Sequence, residues 1–288
     1  MKKECEISSN LCNICPRNCK MDRTSKIGFC GETETLKIAK IIENFMWEEP
    51  CISGEKGALA IFFSGCNLRC DYCQNYEISR GGVGKDYTID EFCNLIEEKQ
   101  ASHSSIDLVT PTHFSKPLKK AFEKIKPQIP VVWNTNSYET VENIENVSSF
   151  VDVFLADLKY CNDEMGKDFS KCTDYFSHAF PAIKKMCLLK KDVMEKDFMK
   201  QGVVIRHLVL PDHIKNSIQV LNIINDHFPS RKVSIMSQFT PNGRSKLNRK
   251  LRPIEYKAVL THMNSLEITN GYIQGFESAD ECFIPDFE

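Results

Sequence analysis

Three cysteines stand within eight residues at Cys66, Cys70 and Cys73, spaced C-x3-C-x2-C inside FSGCNLRCDYCQN. Thiolates at this density are metal ligands or redox groups. A tetrahedral zinc site and an iron–sulfur cubane each have four positions to fill. Zinc motifs usually pair their ligands as two short C-x-x-C-like units, and no second pair lies close downstream. The loop therefore reads as three thiolates around one face of a compact cluster, with one iron left open to a ligand that is not a side chain. Half of a zinc site, completed by a distant fourth ligand, is the alternative.

A second group lies upstream. CNICPRNC followed by GFC gives C-x2-C-x3-C-x10-C, with Cys12, Cys15, Cys19 and Cys30 as its members. Four cysteines without other scaffold read as a site for zinc or a second iron–sulfur cluster, or as one that binds nothing. Pro16 and Gly28 suit the tight turns such a site needs, and Arg17 and Lys20 would pair with its charge or be solvated. The remaining cysteines, Cys5, Cys51, Cys93, Cys161, Cys172, Cys187 and Cys282, are expected to be small buried hydrophobes. Fourteen cysteines in 288 residues point to metal chemistry in a reducing compartment rather than to disulfides. The lysines of MKKECEISSNLC are followed by no apolar stretch of the kind a signal peptide carries. No run approaches the ~18 apolar residues of a membrane span. A cytoplasmic protein is expected, with no membrane partner. A formal net charge of −2 gives no electrostatic ground for nucleic acid as a partner.

The elements that must position these groups alternate. ALAIFFSG (58–65) is a buried strand that runs into the cysteine loop, and IDLVTP (106–111), IPVVWNTN (129–136), VDVFLADLKY (151–160), GVVIRHLVLP (202–211) and KVSIMSQFTP (232–241) read as five more. Between them, helices are predicted over 88–100, with Thr88 as N-cap and Glu91 at capping-box spacing, and over 116–126, 140–150, most of 162–200, 214–228 and 254–268. LKIAKIIENFMW (36–47) reads as a strand or hairpin arm and GYIQGF (271–276) as a short strand. Six β/α units predict a parallel sheet and an α/β fold: a partial (β/α)6 TIM-type barrel over 51–288 with a cysteine-rich, metal-binding N-terminal extension over 1–50. Chemistry in parallel barrels sits at the C-terminal ends of the strands. There lie the cysteine loop, TPTHF, NTNSY, DLKY, RHLVLP and SQFTPNGR.

C-x3-C-x2-C with Tyr72 before its third cysteine resembles the radical S-adenosylmethionine (radical SAM) superfamily. WEEPCISG, FFSGCNLRCDYCQNYEIS, LVTPTHF and RHLVLP together resemble the branch of pyruvate formate-lyase activating enzyme homologues over nearly the whole chain; glycyl radical enzyme activases are a more distant likeness. The resemblance implies that Cys66, Cys70 and Cys73 hold a 4Fe–4S cluster whose fourth iron is chelated by S-adenosylmethionine. Reductive cleavage then yields methionine and a 5′-deoxyadenosyl radical that abstracts hydrogen from substrate. It implies Tyr72 near the adenine, and Asn134, Thr135 and Asn136 near the ribose or carboxylate. Asp157 and Lys159 would flank the methionine end, and Arg206 would lie on the carboxylate. Many members have Gly-Gly-Glu where this chain has Thr110–His113, so backbone carbonyls with the Thr110 or Thr112 hydroxyl would take the cofactor's amino group. Gln238, closing the sixth strand, is a candidate on the substrate side.

Plainer roles stand beside these. Asp157 and Lys159, two apart on one strand, both face the interior and would serve as a structural salt bridge. Arg206 would pair with a core carboxylate. His207 should face the helices as a satisfied core histidine, and His113 divides between site and capping roles. The expected activity is anaerobic hydrogen abstraction from a protein or peptide, with glycyl radical enzyme activation as its sharpest form and a flavodoxin- or ferredoxin-type electron donor. Modification of a small molecule, a non-catalytic iron–sulfur electron-transfer or scaffold protein, and a zinc-only regulatory protein are the alternatives.

Overall fold

The computed structural model describes residues 11–278 and 285–287; Cys5 and Cys282 lie outside the described residues. In chain order the elements are β1 (Leu36–Phe45), the one-turn helix α1 (Pro50–Ser53), β2 (Ala58–Phe63), α2 (Tyr76–Ser79), β3 (Lys85–Tyr87), α3 (Ile89–Lys99), β4 (Ser105–Val109), α4 (Ser115–Lys124), β5 (Val131–Thr135), α5 (Val141–Val147) and β6 (Val153–Asp157). They continue with α6 (Asp163–Ser170), α7 (Tyr175–Leu189), β7 (Val193–Glu195), β8 (Phe198–Leu208), α8 (Ile214–His227), β9 (Lys232–Met236), α9 (Pro253–Ser265) and β10 (Gly271–Ile273).

One sheet runs β10-β9-β8-β6-β5-β4-β2-β1-β3, with β7 paired to β8. Along that order every pairing from β2 to β10 is parallel, β7 joins β8 antiparallel off it, and β1 and β3 are added antiparallel at one end. The two end strands, β3 and β10, do not pair with one another, so the barrel stays open along one side. The six predicted units are present, and GYIQGF supplies β10 as a further parallel strand. Thr88 forms its capping box: its Oγ1 accepts from the Glu91 N–H at 3.2 Å, and Glu91 Oε2 accepts from the Thr88 N–H at 2.8 Å.

The stretch 162–200 departs from its helical expectation at its end. After α7 the chain makes an antiparallel hairpin, with Val193, Met194 and Glu195 opposite Gln201, Met199 and Phe198. Its tight turn carries Lys196 at φ 56, a left-handed conformation that ends a helix. β1 realises the strand predicted over 36–47, and its pairing with β2 builds that part of the extension into the sheet.

Alternation along each strand sorts side chains into two environments. Leu59, Ile61, Phe63, Ile106, Leu108, Val131, Trp133, Phe154, Val203 and Ile205 face the helices in one continuous core. Val132, Val153, Leu155 and Val204 face inward and meet Cys51 and Ile52 of α1. Because β1 runs antiparallel to β2 and Phe45 pairs with Ala58, the chain leaves β1 at the N-terminal end of the barrel. There α1 closes the floor, and Ser105 Oγ donates to the Ile52 carbonyl at 2.8 Å.

At the opposite end Glu139, 1% exposed, ties two strand-end loops together. Its Oε1 accepts from Thr112 Oγ1 (2.7 Å), Trp133 Nε1 (3.0 Å) and Thr135 Oγ1 (2.9 Å), and its Oε2 from Asn143 Nδ2 (2.9 Å). Burial pushes its carboxyl up from the usual range, while these donors pull it back. Glu139→Ala orphans all of these donors at once and is predicted to cost ~4 kcal/mol of unfolding free energy, read by urea denaturation. A loss under ~1 kcal/mol would contradict this role.

Candidate active site at the cysteine loop

β2 runs into the loop through Gly65, whose φ is +83°. A Cβ there would come within 2.6 Å of the Cys30 carbonyl oxygen and 2.9 Å of Glu32 Cγ, so only glycine lets the N-terminal segment approach. The Gly65 N–H donates to the Ile78 carbonyl (2.7 Å) and the Cys66 N–H to the Cys30 carbonyl (3.0 Å). Further along, the Arg69 and Asp71 N–H groups donate to the Ser170 (3.1 Å) and Phe169 (3.0 Å) carbonyls at the end of α6. Asn242 Nδ2 donates to the Asp71 (2.9 Å) and Cys73 (3.3 Å) carbonyls.

The three thiols are half-buried and unbridged. Burial pushes Cys66 up to about 11, Cys70 to about 12, and Cys73 upward, while Lys159 pulls all three back. Donors surround the sulfurs: the Leu68 N–H (3.3 Å) and Asn136 Nδ2 (3.4 Å) at Cys66, and the Ser170 hydroxyl (2.9 Å) at Cys70. Ser170 continues to Tyr160 (2.7 Å) and Tyr160 to Tyr72 (2.8 Å). Thiols that ionise reluctantly alone, yet face hydrogen-bond donors and a lysine, fit a metal centre that holds them as thiolates. Among the described residues, no three His, Cys, Asp or Glu side chains converge as the shell of a single metal ion.

Strand alternation divides the other predicted site residues. Asn136 joins the loop directly, donating to Cys66 Sγ and to Asn67 Oδ1 (2.8 Å), while Asn67 Nδ2 donates to the Tyr138 carbonyl (2.7 Å). Tyr72 is buried and packs on Phe239 with ring centroids 6.0 Å apart. Gln238 lies beside the loop: its carbonyl accepts from Gln74 Nε2 (2.7 Å) and its Oε1 from Gln274 Nε2 (2.6 Å). Thr110 is left-handed, at φ 59, with its N–H on the Asn134 carbonyl (2.9 Å), a strained backbone of the kind found at functional sites. The Thr112 and Thr135 hydroxyls are engaged by Glu139, on the helix side. His207 is the satisfied core histidine its alternation predicted, with Nδ1 2.7 Å from the Leu158 carbonyl and Nε2 2.9 Å from Ser217 Oγ. His113 is buried beneath the loop, its Nε2 2.7 Å from the Ser64 carbonyl.

Below the loop, Asn134, Asp157 and Arg206 point inward and meet residues the sequence did not flag. Arg206 donates through Nε to Asp157 Oδ1 (2.9 Å), through Nη1 to Glu48 Oε2 (2.8 Å) and through Nη2 to Asn134 Oδ1 (2.6 Å). Asn134 Nδ2 donates to Glu48 Oε1 and Asp107 Oδ2, each at 3.2 Å. Lys159 Nζ donates to Asp157 Oδ2 at 2.5 Å, so the predicted Asp157–Lys159 pair forms. Burial pushes Asp157 up, but Lys159 and Arg206 outweigh it and hold it below its ordinary value. Burial pushes Glu48 well up and Asp107 to about 7. The signals that could have found these carboxylates were the paired acids of WEEP and an aspartate at an inward position of the apolar strand IDLV.

The N-terminal quartet packs against the loop. Cys12, Cys15 and Cys30 are buried and Cys19 half-buried, and burial, with a smaller push from neighbouring thiols, raises Cys15 and Cys30. Burial pushes Cys15 up to about 12. Arg23, 3% exposed, locks the segment down through the Glu32 (3.2 Å), His113 (2.6 Å) and Thr33 (2.5 Å) carbonyls. Arg17 donates to the Asn67 carbonyl at 2.8 Å and covers the Phe29 ring at 4.2 Å.

The uncharacterized protein MJ0674 of Methanocaldococcus jannaschii is 31% identical over 276 residues, covering 88% of this chain and 75% of that protein. Among solved structures, Streptococcus suis SuiB aligns with a TM-score of 0.52 at 11% identity, over 76% of this chain and 50% of that one. SuiB bound to the precursor peptide SuiA gives 0.51 at 10% identity, over 73% and 46%. The chain spans about half the length of SuiB, and this likeness is one of fold. Residues 60–219 match the family described as the radical SAM superfamily, on an open parallel barrel whose first parallel strand ends in the three-cysteine loop: the chain belongs to that superfamily.

Proposed function

We propose that the protein is an S-adenosylmethionine-dependent radical enzyme that abstracts hydrogen from a protein or peptide. Three donor-ringed thiols at the mouth of an open barrel carry this reading. When bound, a 4Fe–4S cluster with S-adenosylmethionine on its open iron supplies one electron that cleaves the sulfonium to methionine and a 5′-deoxyadenosyl radical. Cys66, Cys70 and Cys73 would hold the cluster. Lys159 offsets the charge of the sulfurs, and Asn136 fixes the orientation of Cys66. Tyr72, Tyr138, Tyr160, Phe169 and Phe239 form an apolar shell on one flank of the loop that excludes water from the reacting centre.

All three guanidinium edges of Arg206 are engaged by protein groups. Its role on this reading is to hold Asp157 and Asn134 in place beneath the cofactor. Cofactor contacts fall instead to Tyr72, Thr110, Asn136 and Lys159. Among the described residues no strand pairing closes the side between β3 and β10, which would suit entry of an extended segment of another chain, and SuiB, of the same fold, was solved with a precursor peptide. Glycyl radical activation is the sharpest form of this activity.

The quartet is proposed as a second metal centre that relays the electron, an arrangement supported by the Cys66 N–H bonded to the Cys30 carbonyl. A flavodoxin- or ferredoxin-type donor would deliver it.

Anaerobic reconstitution followed by dithionite and S-adenosylmethionine should yield 5′-deoxyadenosine, and Cys73→Ala should abolish it. No product from the wild-type protein with any peptide or small-molecule partner would favour a non-catalytic iron–sulfur protein. Loss of one donor to the cluster sulfurs weakens stabilisation of the reduced state. Ser170→Ala should therefore lower the cluster potential by roughly 50 mV, about one ordinary hydrogen bond's worth for a one-electron couple, in an EPR-monitored redox titration; an unchanged potential counts against Ser170 as a donor to the sulfur. Metal analysis separates the quartet's readings. About eight irons per chain, falling by half in Cys30→Ala, supports a relay cluster; about four irons with one zinc opposes it.

A further inference from the structure

The sequence segment WEEPCISG has no role in the reading above beyond its turn at the barrel floor, yet it carries two adjacent acids into the interior. Glu48 and Glu49 enter from below, Asp107 from β4 and Asp157 from β6, against Arg206 and Lys159 as the charged partners that surround them. Four acids thus face two cations, and burial holds Glu48 and Asp107 toward their neutral forms. Each nitrogen of Arg206 already donates, to Asp157, Glu48 and Asn134, and Lys159 is bound to Asp157.

Two oxygens are left over. Glu49 Oε2 and Asp107 Oδ1 are buried without any hydrogen-bond partner, on residues that are 8% and 0% exposed. Arg206 Nη1 stands 4.0 Å from Glu49 Oε2, the outer limit of an ion pair. A buried carboxylate oxygen without a donor is costly, and native structures keep one where something else supplies the donor. The layer is not sealed: the side chains of Glu48, Asp157 and Arg206 are each 12% exposed and that of Lys159 16%. Below, α1 closes it with Cys51 and Ile52. An organic cation suits separated acceptors, because its N–H donors are spread over one group.

We propose that the floor of the barrel is a recognition pocket for a positively charged group of the substrate, an alkylammonium or alkylguanidinium, received by Glu49 and Asp107. This rests on the radical-enzyme reading and narrows its substrate class. A group seated there lies on the barrel interior between the floor and the cysteine loop, so the carbon chain bearing it passes the place where hydrogen is abstracted. A lysine-like or arginine-like side chain, or an amine terminus, has that chemistry.

Calorimetric titration of the anaerobically reconstituted holoprotein with n-butylammonium, n-butylguanidinium and the neutral n-butanol tests the pocket. Saturable binding of one or both cations, at least tenfold tighter than n-butanol and weakened at least tenfold in Glu49→Gln and Asp107→Asn, is expected; which cation binds more tightly separates the amine from the guanidine source. Cations that bind no better than n-butanol, or equally well in both variants, overturn the proposal. Thermal unfolding gives a second reading that needs no ligand. Neutralising a buried carboxylate whose ion pair with Arg206 is as long as 4.0 Å should leave the melting temperature of Glu49→Gln unchanged or raised, whereas a fall of about 5 °C or more would mark Glu49 as a structural partner and overturn the pocket. Cation binding without any 5′-deoxyadenosine formation would sink only the radical-enzyme reading. 5′-deoxyadenosine formation without cation binding would sink only the pocket.

Discussion

A parallel barrel can carry ionisable groups through its centre only if they neutralise one another there, and in this protein that constraint is met by the guanidinium of Arg206. Its three edges gather Asp157, Glu48 and Asn134 from three different parts of the chain. Asn134 extends the network to Asp107, and Asp157 extends it to Lys159, which faces the cysteine sulfurs. A polar column thus runs from the loop to the floor inside walls that are otherwise apolar. A planar cation with several fixed donors suits such a junction, where an ammonium would not.

The mouth of the barrel is organised by a different device. Loops at strand ends are free to drift unless their polar groups are satisfied. Here Glu139 gathers Thr112, Trp133, Thr135 and Asn143 behind the strand ends, and Ser170, Asn136 and Asn242 hold the cysteine loop from three sides. The N-terminal segment then docks on the loop through Gly65, which cannot carry a side chain because the Cys30 carbonyl occupies that space. Both cysteine groups therefore share one rigid framework.

Much of this was legible in the sequence because it rests on local rules. Apolar strands flanked by amphipathic helices gave the parallel sheet, Thr88 and Glu91 gave the capping box, and period-two alternation placed Arg206 inward and His207 among the helices. The three-cysteine spacing marked the loop. What escaped depended on contacts between distant segments. Glu48 and Glu49 precede a one-turn helix and look like surface acids until β1 is paired to β2 and brings them under the barrel. Thr112 and Thr135 sit in polar strand-end motifs, but a carboxylate four residues beyond Thr135 claims both hydroxyls. The hairpin of β7 and β8 was hidden in a stretch whose lysines and methionines suit a helix equally well.

The central claim is that the three thiolates leave one iron for S-adenosylmethionine. Mössbauer spectroscopy of the 57Fe-reconstituted protein, with the N-terminal quartet replaced by alanine, addresses it most directly. Addition of S-adenosylmethionine should change the isomer shift of one iron in four and leave the other three as they were. A spectrum in which all the irons are alike and indifferent to S-adenosylmethionine would mean that a fourth side chain completes the cluster, and would contradict the account.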